Sequence, residues 1–200
     1  AMVLGHQGTN FCAGANLNLL LELSKNSQWE ALDYAVKTMQ DMTQRIRFSK
    51  GPVVAAPFQL VLGGGVELVQ PAAHRIAAAE TYMGLVEVGV GLIPGGGGNL
   101  RMILNALDSN TGRMGAFQKI QKTFETVGFA KIATSADEAK HLGYLKKDDR
   151  VILNRDYLIQ AAKDKAIELA QNYTPPTYRD DLKLPGAGGR TAMAMACLLY

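Results

Sequence analysis

Two hundred residues, 48% hydrophobic and 20% charged, suit one globular domain with enough chain for a sizeable core. A net charge of +3 without any basic run interleaved with aromatics argues against a nucleic-acid partner, and no apolar run reaches membrane-spanning length. Cys12 and Cys197 lack metal-ligand spacing, His6, His74 and His141 are scattered, and two thiols without a disulfide framework point to a reducing compartment such as the cytoplasm.

The chain opens in AMVLG, which reads as a strand already under way. FCAGANL, Phe11 to Leu17, places small residues where strand meets helix; alone it is a tight turn with Cys12 as a small buried hydrophobe. Trp29, Leu32, Val36, Met39, Met42 and Ile46 recur at helical spacing and predict an amphipathic helix over residues 28–48. Pro52 then opens VVAAPFQLVL, read as one buried strand. A short helix from about Gly64 to Gln70 ends at Pro71, and Arg75–Ala79 reads as a second buried strand. Strand, short helix and strand make the crossover unit of a parallel arrangement.

Farther along, MGLVEVGVGLIPGGGG sets Glu87 in an apolar, glycine-rich loop, where alone it reads as a surface acid. Ser135 and Glu138 predict a capping box, with Gly143 closing that helix. Lys146–Arg150 reads as a solvated turn. Asn154 caps a helix through Tyr173, stopped by Pro175 and Pro176. Thr174–Arg190 is the linker-like region, and TAMAMACLLY after it looks helical without a C-cap glycine. Both ends read as cuts from a longer polypeptide.

LGGGVELVQP, Leu62 to Pro71, carries the chemical question. Three glycines at a strand end let backbone N–H groups approach a ligand closely, and a helix start carries about half a positive charge. That arrangement suits an oxygen acquiring negative charge. Glu67 lies one turn beyond Gly64 on the same face and is a candidate proton-transfer group. The same stretch also reads as a tight turn whose acid complements the helix dipole. Burial of Glu87 would raise its pKa, and a neighbouring Glu67 carboxylate would push it further. A dinucleotide loop in Gly89–Gly98 fails for lack of a third glycine at the right spacing and of any Lys-Ser/Thr after the run.

Taken together, FCAGANL, GPVVAAPFQLVLGGGVELV, the acid-bearing loop ending IPGGGG and SADEAKHLGYL resemble the crotonase superfamily of enoyl-CoA hydratases and isomerases. The wording PFQLVLGGGVELVQPAA also resembles the crotonase domain of multifunctional 3-hydroxyacyl-CoA dehydrogenases. The resemblance implies an α/β fold with a crotonase-like ββα spiral core and surrounding helices, truncated at both ends. Residues 1–173 would form the core, and 174–200 a linker and the start of a C-terminal helical region.

It also implies roles. The backbone N–H groups of Ala15 and Gly64 would form the oxyanion hole, Glu67 and Glu87 would be the catalytic acids, and Ala13, Gly14, Gly63, Gly65 and Gly95 would border the substrate. The substrate would be an acyl-CoA thioester. Hydration is the expected chemistry because both acid positions are filled, where isomerases commonly keep one. No cofactor is expected in this domain, with NAD confined to a separate domain of the parent chain. The expected partners are further copies or the rest of a multifunctional enzyme, with no nucleic acid or membrane. The sequence departs from the family pattern at Gln59, where many members have glycine, and at Asn16-Leu17-Asn18, where hydratases often have an acid, an aliphatic residue and a lysine.

Overall fold

The structure is a computed structural model describing residues 1–109 and 114–199, with side chains to residue 197. Among the described residues six strands form two parallel sheets. β1 (Met2–Leu4), β2 (Val53–Ala55), β4 (His74–Ala78) and β6 (Arg150–Ile152) make one sheet in the order β1-β2-β4-β6, while β3 (Gln59–Leu62) pairs with β5 (Thr81–Gly84) in the other.

The apolar run VVAAPFQLVL is therefore two strands rather than one. Pro57 has no N–H to give a ladder, and Gln59 sits at φ +49, so the chain turns from the first sheet to the second between them. The pairing expected across the short helix is corrected as well: β3 pairs with β5, and β4 pairs with β2. β4 hands over to β5 through a similar corner at Ala79–Glu80, where Gln59 N–H reaches Glu80 O at 3.1 Å. Each pair of strands is followed by a helix, α3 (Gly64–Val69) after β3 and α4 (Gly98–Asp108) after β5. This is a ββα spiral, and its core is the fully buried segment Val53–Ala56 with Phe58, Val61, Ile76 and Ala77.

The outer helices are α1 (Leu17–Lys25), α2 (Trp29–Arg47), α5 (Ala116–Gly128), α6 (Ala136–Leu142), α7 (Leu158–Ala170) and α8 (Gly186–Leu199). Asn16 caps α1 by accepting the Leu19 N–H at 3.2 Å. Helix α2 follows its expected bounds, yet Trp29, Val36 and Met42 on its apolar face are exposed and only its C-terminal end is buried, at Thr43 and Ile46. Ser135 caps α6 and Gly143 closes it at φ +87, but Glu138 accepts from Thr134 N–H and hydroxyl, not from the Ser135 N–H of a capping box. Asn154 caps a single tight turn, Arg155–Tyr157, before α7 begins.

Two further expectations are revised. In the charged run Lys146–Arg150, Asp149 is buried rather than solvated, because it answers Arg75, itself buried on β4. Asp149 accepts Arg75 Nε–H at 2.8 Å, Arg75 N–H at 3.1 Å and Lys146 N–H at 2.6 Å. The stretch Thr174–Pro185 is irregular but not detached. It straps back over the core, with Tyr178 stacked on Phe48 at 4.2 Å and Arg179 paired with Asp108 at 2.8 Å.

Candidate active site

The glycine turn sits where β3 passes into α3. Gly63 takes φ +53, outside the helical region, and its N–H donates to Gly84 O at the end of β5 at 2.8 Å. On its other edge β3 is flanked by Phe11–Cys12, with Cys12 N–H donating to Leu60 O and Leu62 N–H to Cys12 O, both at 2.9 Å. This pairing brings Ala13, Gly14 and Ala15 beside the LGGG turn. Gly14 adopts φ +98, and a Cβ there would lie 3.3 Å from Leu62 O. Among the described residues neither Ala15 N–H nor Gly64 N–H donates a hydrogen bond to a protein group. Each of these two segments thus keeps one amide donor unspent.

The glycines earn their places for different reasons. A Cβ on Gly63 would come within 3.0 Å of Glu87 Oε1 and 3.8 Å of Gly14 Cα, so that position joins three segments of the site. Gly65 lies against the Cys12 strand, where a Cβ would be 2.8 Å from Cys12 O. Gly64 is the open one: a Cβ would meet only Met39 Cε, at 3.5 Å. Gly95 turns toward α2, with its carbonyl accepting from Gln40 Nε2 at 2.8 Å.

Glu67 is 4% exposed. Its Oε1 accepts the Gly98 N–H at 2.8 Å, at the start of α4. Burial raises its pKa, and the backbone N–H groups of Gly98, Gly96 and Gly97 pull it back toward the ionised form. The run of glycines also leaves space for that carboxylate, since a Cβ on Gly96 would approach Glu67 Oε2 to 2.7 Å. Thr43 holds the run by donating its hydroxyl to Gly96 O at 2.7 Å.

Glu87 is half-buried, not a surface acid, and its Oε2 is buried without a hydrogen-bond partner among the described residues. Burial raises its pKa, its own N–H lowers it somewhat, and the Glu67 charge raises it again. The loop before it is pinned by Tyr144, whose hydroxyl accepts Leu85 N–H at 3.4 Å and donates to Lys131 O at 2.6 Å. Burial, with the Glu87 charge adding to it against the Leu85 N–H, pushes that phenol up to about 12. Sequence reasoning missed the cradle of Gly96, Gly97 and Gly98 around Glu67, together with Thr43 and Tyr144. The signal for the first was the IPGGGG run itself, too glycine-rich to be only a turn.

A family model described as enoyl-CoA hydratase/isomerase matches residues 1–181. The chain belongs to that family. Its relatives include a probable 3-hydroxyacyl-CoA dehydrogenase of Bacillus subtilis (strain 168), 42% identical over 97% of this chain and 24% of that protein. A putative fatty acid oxidation complex trifunctional enzyme of Rickettsia felis is 31% identical over 78% of this chain and 21% of that one. Among solved structures, an enoyl-CoA hydratase from Bacillus anthracis is 29% identical with a TM-score of 0.66, covering 85% of this chain and 58% of that one. One from Polaromonas sp. JS666, at 22% identity and TM-score 0.66, shares the fold over 84% of this chain and 58% of its own. The chain thus spans about a quarter of the dehydrogenase relative, about a fifth of the trifunctional one and under two thirds of those hydratases. No helix among the described residues is long and apolar enough to cross a membrane.

Proposed function

We propose that this enoyl-CoA hydratase/isomerase family member hydrates the C2=C3 bond of a trans-2-enoyl-CoA in fatty-acid β-oxidation, as part of a multifunctional polypeptide. The unequal partners of the two acids carry this reading. Glu67 is surrounded by amide donors that favour its anion, whereas Glu87 has an unpartnered buried oxygen and feels the charge of Glu67. Two carboxyl groups whose surroundings differ in this way divide into a base and an acid.

The thioester oxygen binds between the N–H groups of Ala15 and Gly64, which drains electron density from C3. Glu67 takes a proton from water as its oxygen bonds to C3, the C2=C3 π electrons move toward the carbonyl, and the enolate oxygen rests on the two amides. As the enolate collapses, Glu87 delivers its proton to C2. One proton must then pass from Glu67 to Glu87 before the next turnover. Ala13, Gly14 and Gly63 border the thioester, Gly65 lets the Cys12 strand lie close behind the turn, and Gly95 steadies the wall toward α2.

The trifunctional relative, and the much greater length of the dehydrogenase relative, support the setting within a longer enzyme. Leu17, Leu19 and Leu21 of α1 and Ile93 after Glu87 are exposed, and further copies or the remainder of that enzyme would cover them. The free thiols Cys12 and Cys197 suit a cytoplasmic setting.

The test is loss of the conjugated thioester absorbance when a short trans-2-enoyl-CoA is added. Glu67→Gln and Glu87→Gln should each slow it by about 10²–10⁴. Together they should cost less than the product of the singles, because the two acids act as a unit. A protein that shifts the double bond of a 3-enoyl-CoA but adds no water would replace hydration by isomerisation.

A further inference from the structure

The strap Thr174–Pro185 lines a cavity of about 120 Å³ beside the helices that carry Glu67 and Gly98. Its wall includes Arg47 at the end of α2, Gln70 after α3, Arg101 and Asn105 on α4, Lys146, and Tyr178 from the strap. Three observations set it apart. Among the described residues the charged groups of Arg47, Arg101 and Lys146 make no ion pair or hydrogen bond, although each is roughly half-buried. The carboxylate in the wall, Asp108, is already paired with Arg179 at 2.8 Å. And among the described residues three of the four buried side-chain polar atoms without a partner belong to residues of this wall: Gln44 Oε1, Gln70 Oε1 and Asn105 Nδ2.

Partly buried charge is costly unless something compensates it, and a chain does not gather three such cations for packing alone. Burial, with repulsion from neighbouring cations adding to it, holds all three groups below their ordinary pKa values, against a weaker opposing pull from Tyr173 and Asp108 on Arg47 and from Asp148 and Asp149 on Lys146. An anion between them would relieve both effects. Two arginines supply planar forks that match a tetrahedral oxyanion, and the Asn105 amide has a donor to spare. A half-turn of either glutamine amide would add another. The volume decides the size of ligand: it exceeds the share of a few waters, about 30 Å³ each, and falls short of the roughly 300 Å³ at which drug-sized sites begin.

We propose that this cavity binds a small phosphate-type oxyanion, held by Arg47, Arg101 and Lys146 beneath the Tyr178 strap. The site is separate from the acids, so the test does not depend on hydration. Calorimetric titration of the 200-residue chain with inorganic phosphate, at constant ionic strength in chloride, should show one bound anion per chain. With phosphate at 100 times its Kd the melting temperature should rise by about 5–10 °C. Arg47→Met and Arg101→Met should each weaken binding at least about tenfold, the loss of one charge-assisted hydrogen-bonding partner. Neither should melt much lower than the parent without phosphate, since each removes a half-buried charge that no ion pair or hydrogen bond holds among the described residues. Adenosine monophosphate serves as the arm for a phosphate carried on a larger molecule. Binding of that nucleotide without binding of phosphate would overturn the small-anion reading, as would unchanged affinity in Arg101→Met. Should both variants fail to fold, the parent still decides: a melting shift from phosphate beyond that from chloride supports the site, and equal shifts refute it.

Discussion

Replacing Gly64 by proline removes one N–H and leaves the rest of the turn in place. That N–H donates to no protein group among the described residues, so no internal hydrogen bond is lost. Proline is tolerated at the first position of a helix, and Gly64 is the first residue of α3. Space is available, because a Cβ there meets only the flexible end of Met39 at 3.5 Å. Stability should therefore change by no more than about 1 kcal/mol, with the lower unfolded-state entropy of proline offsetting part of any strain. Catalysis should suffer far more: loss of one oxyanion donor costs about 10²–10³ in rate, or roughly 2.7–4 kcal/mol. Gly64→Ala is the control, keeping the donor and adding only an ordinary contact with Met39. The pair is compared by thermal melting and by kcat/KM for hydration of a short trans-2-enoyl-CoA. A proline variant that folds and hydrates at the parental rate would refute the oxyanion assignment and leave the three glycines as a turn.

Other outcomes follow from the same geometry. Glu87 has its pKa raised in the folded state, so the fold binds that proton more tightly than the unfolded chain does, and the group costs stability once the pH passes its unfolded value of about 4.3. Glu87→Gln should therefore melt higher than the parent at pH 7, with the difference disappearing as the pH falls below about 4; a gap independent of pH would dismiss the burial argument. Asp149→Asn leaves Arg75 buried without its counter-charge and should destabilise by about 3–5 kcal/mol in urea unfolding, whereas a loss below 1 kcal/mol would return that charged run to the surface. Gln59→Gly releases a left-handed backbone at φ +49 and should leave urea stability unchanged or raise it by up to about 1 kcal/mol, while a clear loss would mean that the glutamine side chain holds the corner.

What the sequence could carry was local. The helix of residues 29–47, the short helix after the glycines and the caps at Ser135 and Gly143 were legible because spacing and capping chemistry act over a few residues. The same locality explains the errors. VVAAPFQLVL is apolar from end to end because both of its strands are buried, so hydrophobicity conceals the change of sheet. The visible marks were Pro57 and a residue held at positive φ, and Gln59 masks the second by standing where a glycine would have announced it. Asp149 shows the complementary failure. Its neighbours Lys147, Asp148 and Arg150 are exposed, and the arginine that draws it inward lies seventy-four residues away on β4. The two acids fall between these cases. Glu67 was marked by its glycines, but its distinction from Glu87 lies in backbone N–H groups donated by a turn thirty-one residues farther on. Side-chain identity gives both positions the same carboxyl group. Only the fold sets Glu67 among three glycine amides and leaves one Glu87 oxygen buried and bare, and the assignment of base and acid rests on that difference.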